Sequence, residues 1–340
     1  MATAPRFRPV ISVTIAVALI VTALIGYSGC SSGGPAKNGT AKKEPFDIGM
    51  VTFAGYAPLY LAKEKGFFGD LQVNLHRIDE VASIRAGIAN GELEAYLATP
   101  DIALDTNQKP PGIGVWAIDE SSGGDGVVVA EGIEKLADLK GRKVAAEPGL
   151  PPRFVLMYLL HKHGMSLSDI EFKDMTTQDA STAFVSKSVD AAGIYEPFLS
   201  TAAKQREGSK VAISSADVPG LIVDLIFVDE RTLKSRPQDV TKVIEGWRKA
   251  VRFIKESPDV AFPIMAKAFN LPEGEFKDIA AGVKWLDLDE NKILFGTAEK
   301  PGPLYPNFSE VGEVLHRNRK DMYRAKAEDH LIRQFVTEGK

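Results

Sequence analysis

Apolar and polar positions divide the chain into three regimes. From about Val10 to Gly26 the residues are almost wholly apolar, broken by Ser12, Thr14 and Thr22. The stretch SSGGPAKNGTAKKEP (31–45) follows, Gly/Ser/Lys-rich and without apolar periodicity. From Phe46 onward, short alternating or apolar runs trade places with segments of helical spacing. FDIGMVTF (46–53) predicts a first strand. Gly55 breaks it, Pro58 takes a first-turn helix position, and Gly66 stops the helix. LQVNLHRI alternates with period two and predicts a second strand; EAYLATP, GIGVWAID and GVVVA predict three more. IEKLADLKG, RFVLMYLLHKHG, DASTAFVSK and LSTAAKQ read as helices, with the strands KVAAEP, IEFKDM, VDAAGIYEP and KVAISS between and after them. This alternation predicts parallel sheets flanked by helices. After LIVDLIFVD the pattern changes, and from Pro237 the chain reads as mostly helical, including GEFKDIAAGVK.

Two segments, 88–101 and 184–198, share one order: helix end, turn, acidic residue, short strand, polar loop. They suggest one α/β lobe around 46–120 and a second around 130–212. The expected fold class is α/β, with two doubly wound lobes joined by a two-strand hinge and C-terminal helices added. The expected boundaries are 46–124 with 222–340 for the first lobe and 125–221 for the second. GVVVA and LIVDLIFV are natural crossovers. In such sheets ligands bind beyond the carboxyl ends of the strands, so the loops of both lobes should face one cleft.

Composition narrows the function. The chain carries 41 Lys+Arg against 45 Asp+Glu, a net charge of −4, and no basic stripe, which argues against a nucleic-acid partner. Its 44% hydrophobic residues are ample for a core. The one cysteine, Cys30, makes neither an internal disulfide nor a thiolate-rich metal site. Its position is informative. Arg6 and Arg8 precede the apolar run, and Ser28 and Gly29 stand directly before Cys30, the layout of a secretory signal peptide. Residues 1–29 are then the signal and 30–45 a flexible tether with a reach of roughly 20 Å. An uncleaved transmembrane anchor is the alternative, and both readings export the rest of the chain. His161 and His163 lie two apart on a predicted helix, about 200° around it, so they share no metal. No metal or cofactor is expected, and no Walker-type loop is present.

Several stretches carry a family resemblance: GYAPLYLAKEKGFFGD (55–70), LADLKGRKVAAEPG (136–149), SVDAAGIYEPFLS (188–200) and RPQDVTKVIEGWRKAVRFIKESPDVA (236–261). Together they resemble the type II solute-binding proteins of ABC importers, in the nitrate/sulfonate/taurine and thiamine-precursor group. YSGC (27–30) resembles a bacterial lipoprotein signal, in which Cys30 would receive lipid on sulfur and become the N-terminus. The resemblance implies a monomeric, non-enzymatic receptor. It would be lipid-anchored on the outer face of the cytoplasmic membrane and would deliver a small organic nutrient to an ABC permease with its ATPase subunit. A ligand-sensing lipoprotein without transport, or an exported enzyme on the same fold, are the alternatives. The cysteines of the sister enzymes that make the thiamine pyrimidine have no match here.

The resemblance puts two first-lobe loops on the ligand, one with Phe53, Gly55 and Tyr56, the other with Thr99 and Asp101. Core burial is the alternative for the two aromatics. Ser122 and Asp125 sit in the crossover DESSGGDG, where a hinge turn is the alternative. The second lobe offers Arg153, Tyr195 and Glu196. Asp224 lies amid apolar neighbours, so it meets either a ligand or an internal partner. Trp285 is a candidate lid, or a core residue. One departure bears on charge. Sulfonate binders usually show Ser or Thr where this chain has Leu150, Pro151 and Pro152. Proline supplies no N–H for an anion, whereas Asp125, Glu196 and Asp224 favour an amine- or N–H-bearing ligand.

Overall fold

The computed structural model describes residues 44–78 and 80–337. The expected signal peptide, Cys30 and nearly all of the tether lie outside the described residues. Among the described residues eleven strands follow in chain order: β1 (Phe46–Met50), β2 (Val73–Arg77), β3 (Ala95–Ala98), β4 (Ile113–Ser121), β5 (Asp125–Val129), β6 (Lys143–Ala146), β7 (Glu171–Asp174), β8 (Ala191–Tyr195), β9 (Lys210–Ser214), β10 (Val223–Val228) and β11 (Val283–Trp285). They form two sheets, ordered β11-β4-β10-β3-β1-β2 and β7-β6-β8-β5-β9.

The pairing corrects the expectation of parallel sheets. β1 pairs parallel with β2 and β3, and β6 with β7 and β8, as helical crossovers require. The strands next to the crossings run antiparallel: β10 to β3 and β4, β5 to β8 and β9, β11 to β4. The reason is geometric. The chain leaves the first sheet at the end of β4 and enters the second at the start of β5, so β5 runs away from the crossing. On its return β10 does the same in the first sheet.

The two crossings, 122–124 and 215–222, run side by side. Ser121 N–H donates to the Ile222 carbonyl at 3.0 Å, and Ser122 N–H to the Gly282 carbonyl at 2.9 Å. A buried hydroxyl ties them further. Ser215 Oγ accepts from Gly123 N–H at 2.8 Å and lies 2.9 Å from Ser121 Oγ, which donates to Asp125 Oδ2 at 2.6 Å.

Each sheet carries its own apolar core. The first holds Trp116, Phe227, Trp247 and Phe308; the second holds Val127, Val128, Phe184 and Ile194. The helix Pro151–Lys162 serves both, with Phe154, Val155 and Met157 in the first core and Leu156 and Leu160 in the second. The helix Pro237–Glu256 follows the pattern read from its sequence. Val240, Val243, Ile244, Trp247, Val251 and Ile254 bury one stripe, and each such side chain contributes about 1.5–3 kcal/mol. The Trp247 indole N–H donates to the Leu286 carbonyl at 2.8 Å, so its burial leaves no orphan donor. Among the described residues no helix is long and apolar enough to cross a membrane.

Three local expectations change. IEKLADLKG forms only a 3-10 turn, Leu136–Leu139, because the Asp138 carboxylate binds the N–H groups of Glu134 and Lys135 and Gly141 adopts φ +71° just beyond. The first strand stops at Met50, and Val51 to Phe53 turn away from it. The helix expected over GEFKDIAAGVK ends at Ala280, and Val283–Trp285 joins the first sheet beside β4. Gly282 packs against the Gly124 backbone there, which brings the two segments within pairing distance.

Candidate functional site

A cavity of about 370 Å³ lies where the loops after β1, β6 and β8 meet the starts of β5 and β10. This is the place beyond strand carboxyl ends where such sheets bind ligands. Val51, Phe53 and Tyr56 form one wall. Glu147, Leu150, Pro151, Tyr195, Glu196 and Phe198 form the opposite one. Asp125, Ile222 and Asp224 make the floor, and Phe269, Leu271 and Ile279 complete the lining. No Lys, Arg or His is among the lining residues.

The floor is acidic and buried. The Tyr56 hydroxyl donates to Asp224 Oδ1 at 2.5 Å. Behind Asp224 stands Asp119, its cross-strand partner on β4. Asp119 is fully buried, and as a carboxylate neither of its oxygens has a hydrogen-bond partner. With a proton, Asp119 becomes a donor to Asp224. Burial, with the Asp224 charge adding to it, holds the Asp119 carboxyl well above the usual range. Burial pushes Asp224 up to about 7, against the pull of the Tyr56 hydroxyl. Asp125 rises to about 6 through burial, opposed by its bond from Ser121. Asp101, also buried, rises to about 7. Burial and the nearby carboxylates raise Tyr56 well above its ordinary value, so it stays a donor.

The opposite wall has spent its polar groups on helix starts. The Glu147 carboxylate accepts from Thr177 N–H at 2.7 Å, and Glu196 from Ser200 N–H at 3.2 Å. The helix Pro151–Lys162 opens with two prolines, and the N–H of Arg153 and of Phe154 turn back to the Leu150 carbonyl. That helix start therefore offers no N–H to an anion.

Of the twelve candidate ligand residues, Phe53, Tyr56, Asp125, Tyr195, Glu196 and Asp224 line this cavity. Asp125 and Tyr195 are cross-strand partners on β5 and β8. Gly55 lies just behind the wall. A Cβ there would sit 2.3 Å from the Phe53 ring and 2.6 Å from Asp119 Oδ2, so the close approach requires glycine. Thr99 is buried beside the helix Pro100–Leu104, outside the lining. Asp101 and Arg153 line a second cavity, of about 290 Å³, with Arg319 and Ser166. Arg153, expected among the second-lobe ligand residues, stays out of the main cavity: it pairs with Asp174 at 3.3 Å and lies over the Phe172 ring. Ser122 is exposed, and the crossing hydroxyls that bond are those of Ser121 and Ser215. Trp285 does not reach the lining. Its indole N–H donates to the Gly55 carbonyl at 2.9 Å, and it props the wall from behind.

The sequence reading missed Asp119, Glu147, Ser215, Phe269, Leu271 and Ile279. Asp119 had a signal, since an acid at the end of the apolar run GIGVWAID poses the same burial problem as Asp224. Phe269 had none, because a half-buried aromatic between two helices looks like any other packing residue.

The chain resembles known proteins along most of its length. Residues 54–261, more than half of the chain, match the family model described as NMT1/THI5 like. A Brucella abortus (strain 2308) protein named as a binding protein is 28% identical over 255 residues, covering 72% of this chain and 78% of that protein. A Bacillus subtilis (strain 168) protein named as an aliphatic sulfonates-binding protein is 27% identical, covering 92% of this chain and 91% of its own length. The crystal structure of the periplasmic aliphatic sulphonate binding protein SsuA from Escherichia coli superposes with a TM-score of 0.70 at 18% identity, over 86% of this chain and 92% of that one. The fold is thus that of the periplasmic binding proteins, and these relatives are named for binding rather than catalysis.

Proposed function

The chain belongs to the NMT1/THI5-like family, and from that premise we propose that it is the extracytoplasmic substrate-binding component of an ABC importer. It takes a small nitrogen-bearing organic nutrient into the cavity between its two sheets and hands it to a permease driven by an ATPase subunit. Phe53, Tyr56, Asp125, Tyr195, Glu196 and Asp224 are the ligand contacts. The two lobes, 46–124 with 222–340 and 125–221, close on it about the paired crossings.

The observation that carries this reading is the lining itself: an acidic floor, aromatic walls and no cationic side chain. The name of the Bacillus relative assigns aliphatic sulfonates to that protein. Here a sulfonate would meet Asp224 and Asp125, and the start of the helix Pro151–Lys162 offers it no N–H, so an amine, an amidine or a heterocycle N–H is the better fit. A metabolite thermal-shift screen tests the proposal. A micromolar ligand at 100-fold excess over its Kd adds roughly 2.7 kcal/mol to stability. The hit should also compact the chain in small-angle scattering and be recovered unchanged. A hit that is turned over, or no compaction, counts against a closing receptor.

We place the protein on the outer face of the cytoplasmic membrane, held by lipid on Cys30, as a monomer. The basic residues, apolar run and small residues before Cys30 support this. Two or more acyl chains anchor stably where one does not. Cys30→Ser should release the protein or leave an unprocessed precursor. Unchanged membrane association with an intact N-terminus favours an uncleaved anchor instead.

A further inference from the structure

We propose that the ligand is an organic cation, an ammonium or amidinium on an apolar body, and that it enters by replacing a proton on the carboxyl floor. This rests on the cleft being the ligand site and deepens it to a charge class and an exchange.

The charge count comes first. Four elements bring buried carboxyls within electrostatic reach of one another: Asp119 from β4, Asp125 from β5 and Asp224 from β10 at the floor, and Asp101 from the helix Pro100–Leu104, which lines the second cavity with Arg153 and Arg319. All four are buried, and Tyr56 faces them as a neutral hydroxyl. The neighbouring Glu120 accepts from Gly220 N–H at 2.6 Å and has Lys284 at 3.8 Å, so that cation is taken by a different carboxylate. Glu147 and Glu196 bind helix N–H groups on the far wall. Without a cation among the lining residues, the floor reaches neutrality through protons or through the ligand. Asp119 and Asp224 cannot both ionise while directly opposed and buried.

The walls then specify what kind of cation. Phe53 and Tyr56 meet edge to face at 5.3 Å on one side, and Tyr195 and Phe198 at 6.1 Å on the other. Phe269 adds a further aromatic to the lining. Aromatic faces around an anionic floor attract a weakly hydrated organic cation. Ile222, Leu271 and Ile279 take its apolar body.

The exchange balances. The ligand brings one positive charge, the floor gives one proton to water, and the closed cleft keeps its net charge. Asp119 keeps its proton as donor to Asp224. The departing proton comes from Asp224 or Asp125, which face the cavity and which burial pushes up to about 7 and 6. A neutral ligand would leave that proton in place, and an anion would need more.

The test is calorimetry on the full chain with choline, phenethylammonium and benzamidine. The controls are 3,3-dimethyl-1-butanol, the uncharged isostere of choline, and 1-propanesulfonate. We expect at least one cation to bind and both controls to fail. At pH 6.5 the heat should change with the buffer's ionisation heat, giving roughly one proton released. Affinity should rise about tenfold per pH unit while the floor is protonated and level off above about pH 8. Asp224→Asn should weaken that cation and flatten its pH profile. A cation whose heat is independent of buffer overturns the exchange and leaves the receptor reading standing. Binding of none of the three cations, or equal binding of the isostere, overturns the cation class. The metabolite screen then decides the receptor reading separately.

Discussion

Asp119 and Asp224 stand directly opposite each other on β4 and β10, both buried, with the Tyr56 hydroxyl 2.5 Å from Asp224 and no basic side chain in the cavity lining in front of them. Like charges placed so are destabilising, and one carboxyl must be neutral for the pair to persist. Asp119 lies behind the wall and Asp224 faces the cavity, so Asp119 holds its proton as the donor and Asp224 is the acceptor that meets the cavity. The pair works as a protein-side donor holding a ligand-side acceptor.

That assignment predicts unequal effects of two substitutions. Asp119→Asn keeps an N–H donor for Asp224 and should change folding stability by less than about 1 kcal/mol. Asp119→Leu removes the donor and should cost about 1–3 kcal/mol. Chemical denaturation of both variants measures the difference. Equal losses would show that Asp119 donates nothing.

The floor also sets a pH dependence for the ligand-free chain. Burial raises Asp101, Asp224 and Asp125 in the folded state to about 7, 7 and 6, from ordinary values near 4. Between about pH 4 and pH 7 the folded chain then binds more protons than the unfolded one, so these groups stabilise it at low pH. Their contribution fades as pH rises through the folded values, by up to about 1.4 kcal/mol per unit for each proton. The Tm of the ligand-free protein should therefore fall from pH 5 to pH 8, and a saturating cation should reduce the fall. A Tm that climbs steadily over that range would falsify a protonated floor.

Gly55→Ala should damage the site out of proportion to its size. The new methyl would drive into the Phe53 ring and Asp119 Oδ2, displacing one wall and the Asp119 support together. Overpacking of this kind costs about 1–3 kcal/mol. Ligand affinity should fall at least tenfold in a chain that still melts cooperatively. Native affinity would mean that the loop relaxes freely.

Two carboxylates of the cleft should respond differently. Asp224→Asn should weaken a cationic ligand by at least tenfold, in line with about 2–5 kcal/mol for truncating a buried charged partner. Glu196→Gln should do less, because its side-chain oxygen can still accept from Ser200 N–H. Titration calorimetry on both variants gives the order. The reverse order would move the ligand's charge to the far wall.

Ser215→Ala tests the crossings. It removes the hydroxyl that accepts from Gly123 N–H and lies beside Ser121 and Asp125. Loss of a buried acceptor should cost about 1–3 kcal/mol. Scattering with saturating ligand should show incomplete compaction, whereas wild-type compaction would free the hinge from this network.

The sequence by itself determined every strand but β11, most of the helices, the order in which they alternate, and the family. Period-two runs such as 71–78 and the stripe of the helix Pro237–Glu256 are local signals, written within a few residues of the structure they cause. It also marked Asp224 as an acid in apolar company and Pro151 with Pro152 as a helix start with no N–H for an anion. Only the tertiary structure decided which of these meet. The antiparallel crossings put Asp119 behind Asp224 and Asp125 beside Tyr195. Pairing with β4 turned Trp285 from a candidate lid into a prop for Gly55, and packing of the C-terminal segments brought Phe269 into the lining. Arg153 went to Asp174 and a second cavity for the same reason. Register between distant strands and the direction of a side chain across a cleft depend on contacts far apart in the chain, and no window of residues carries them.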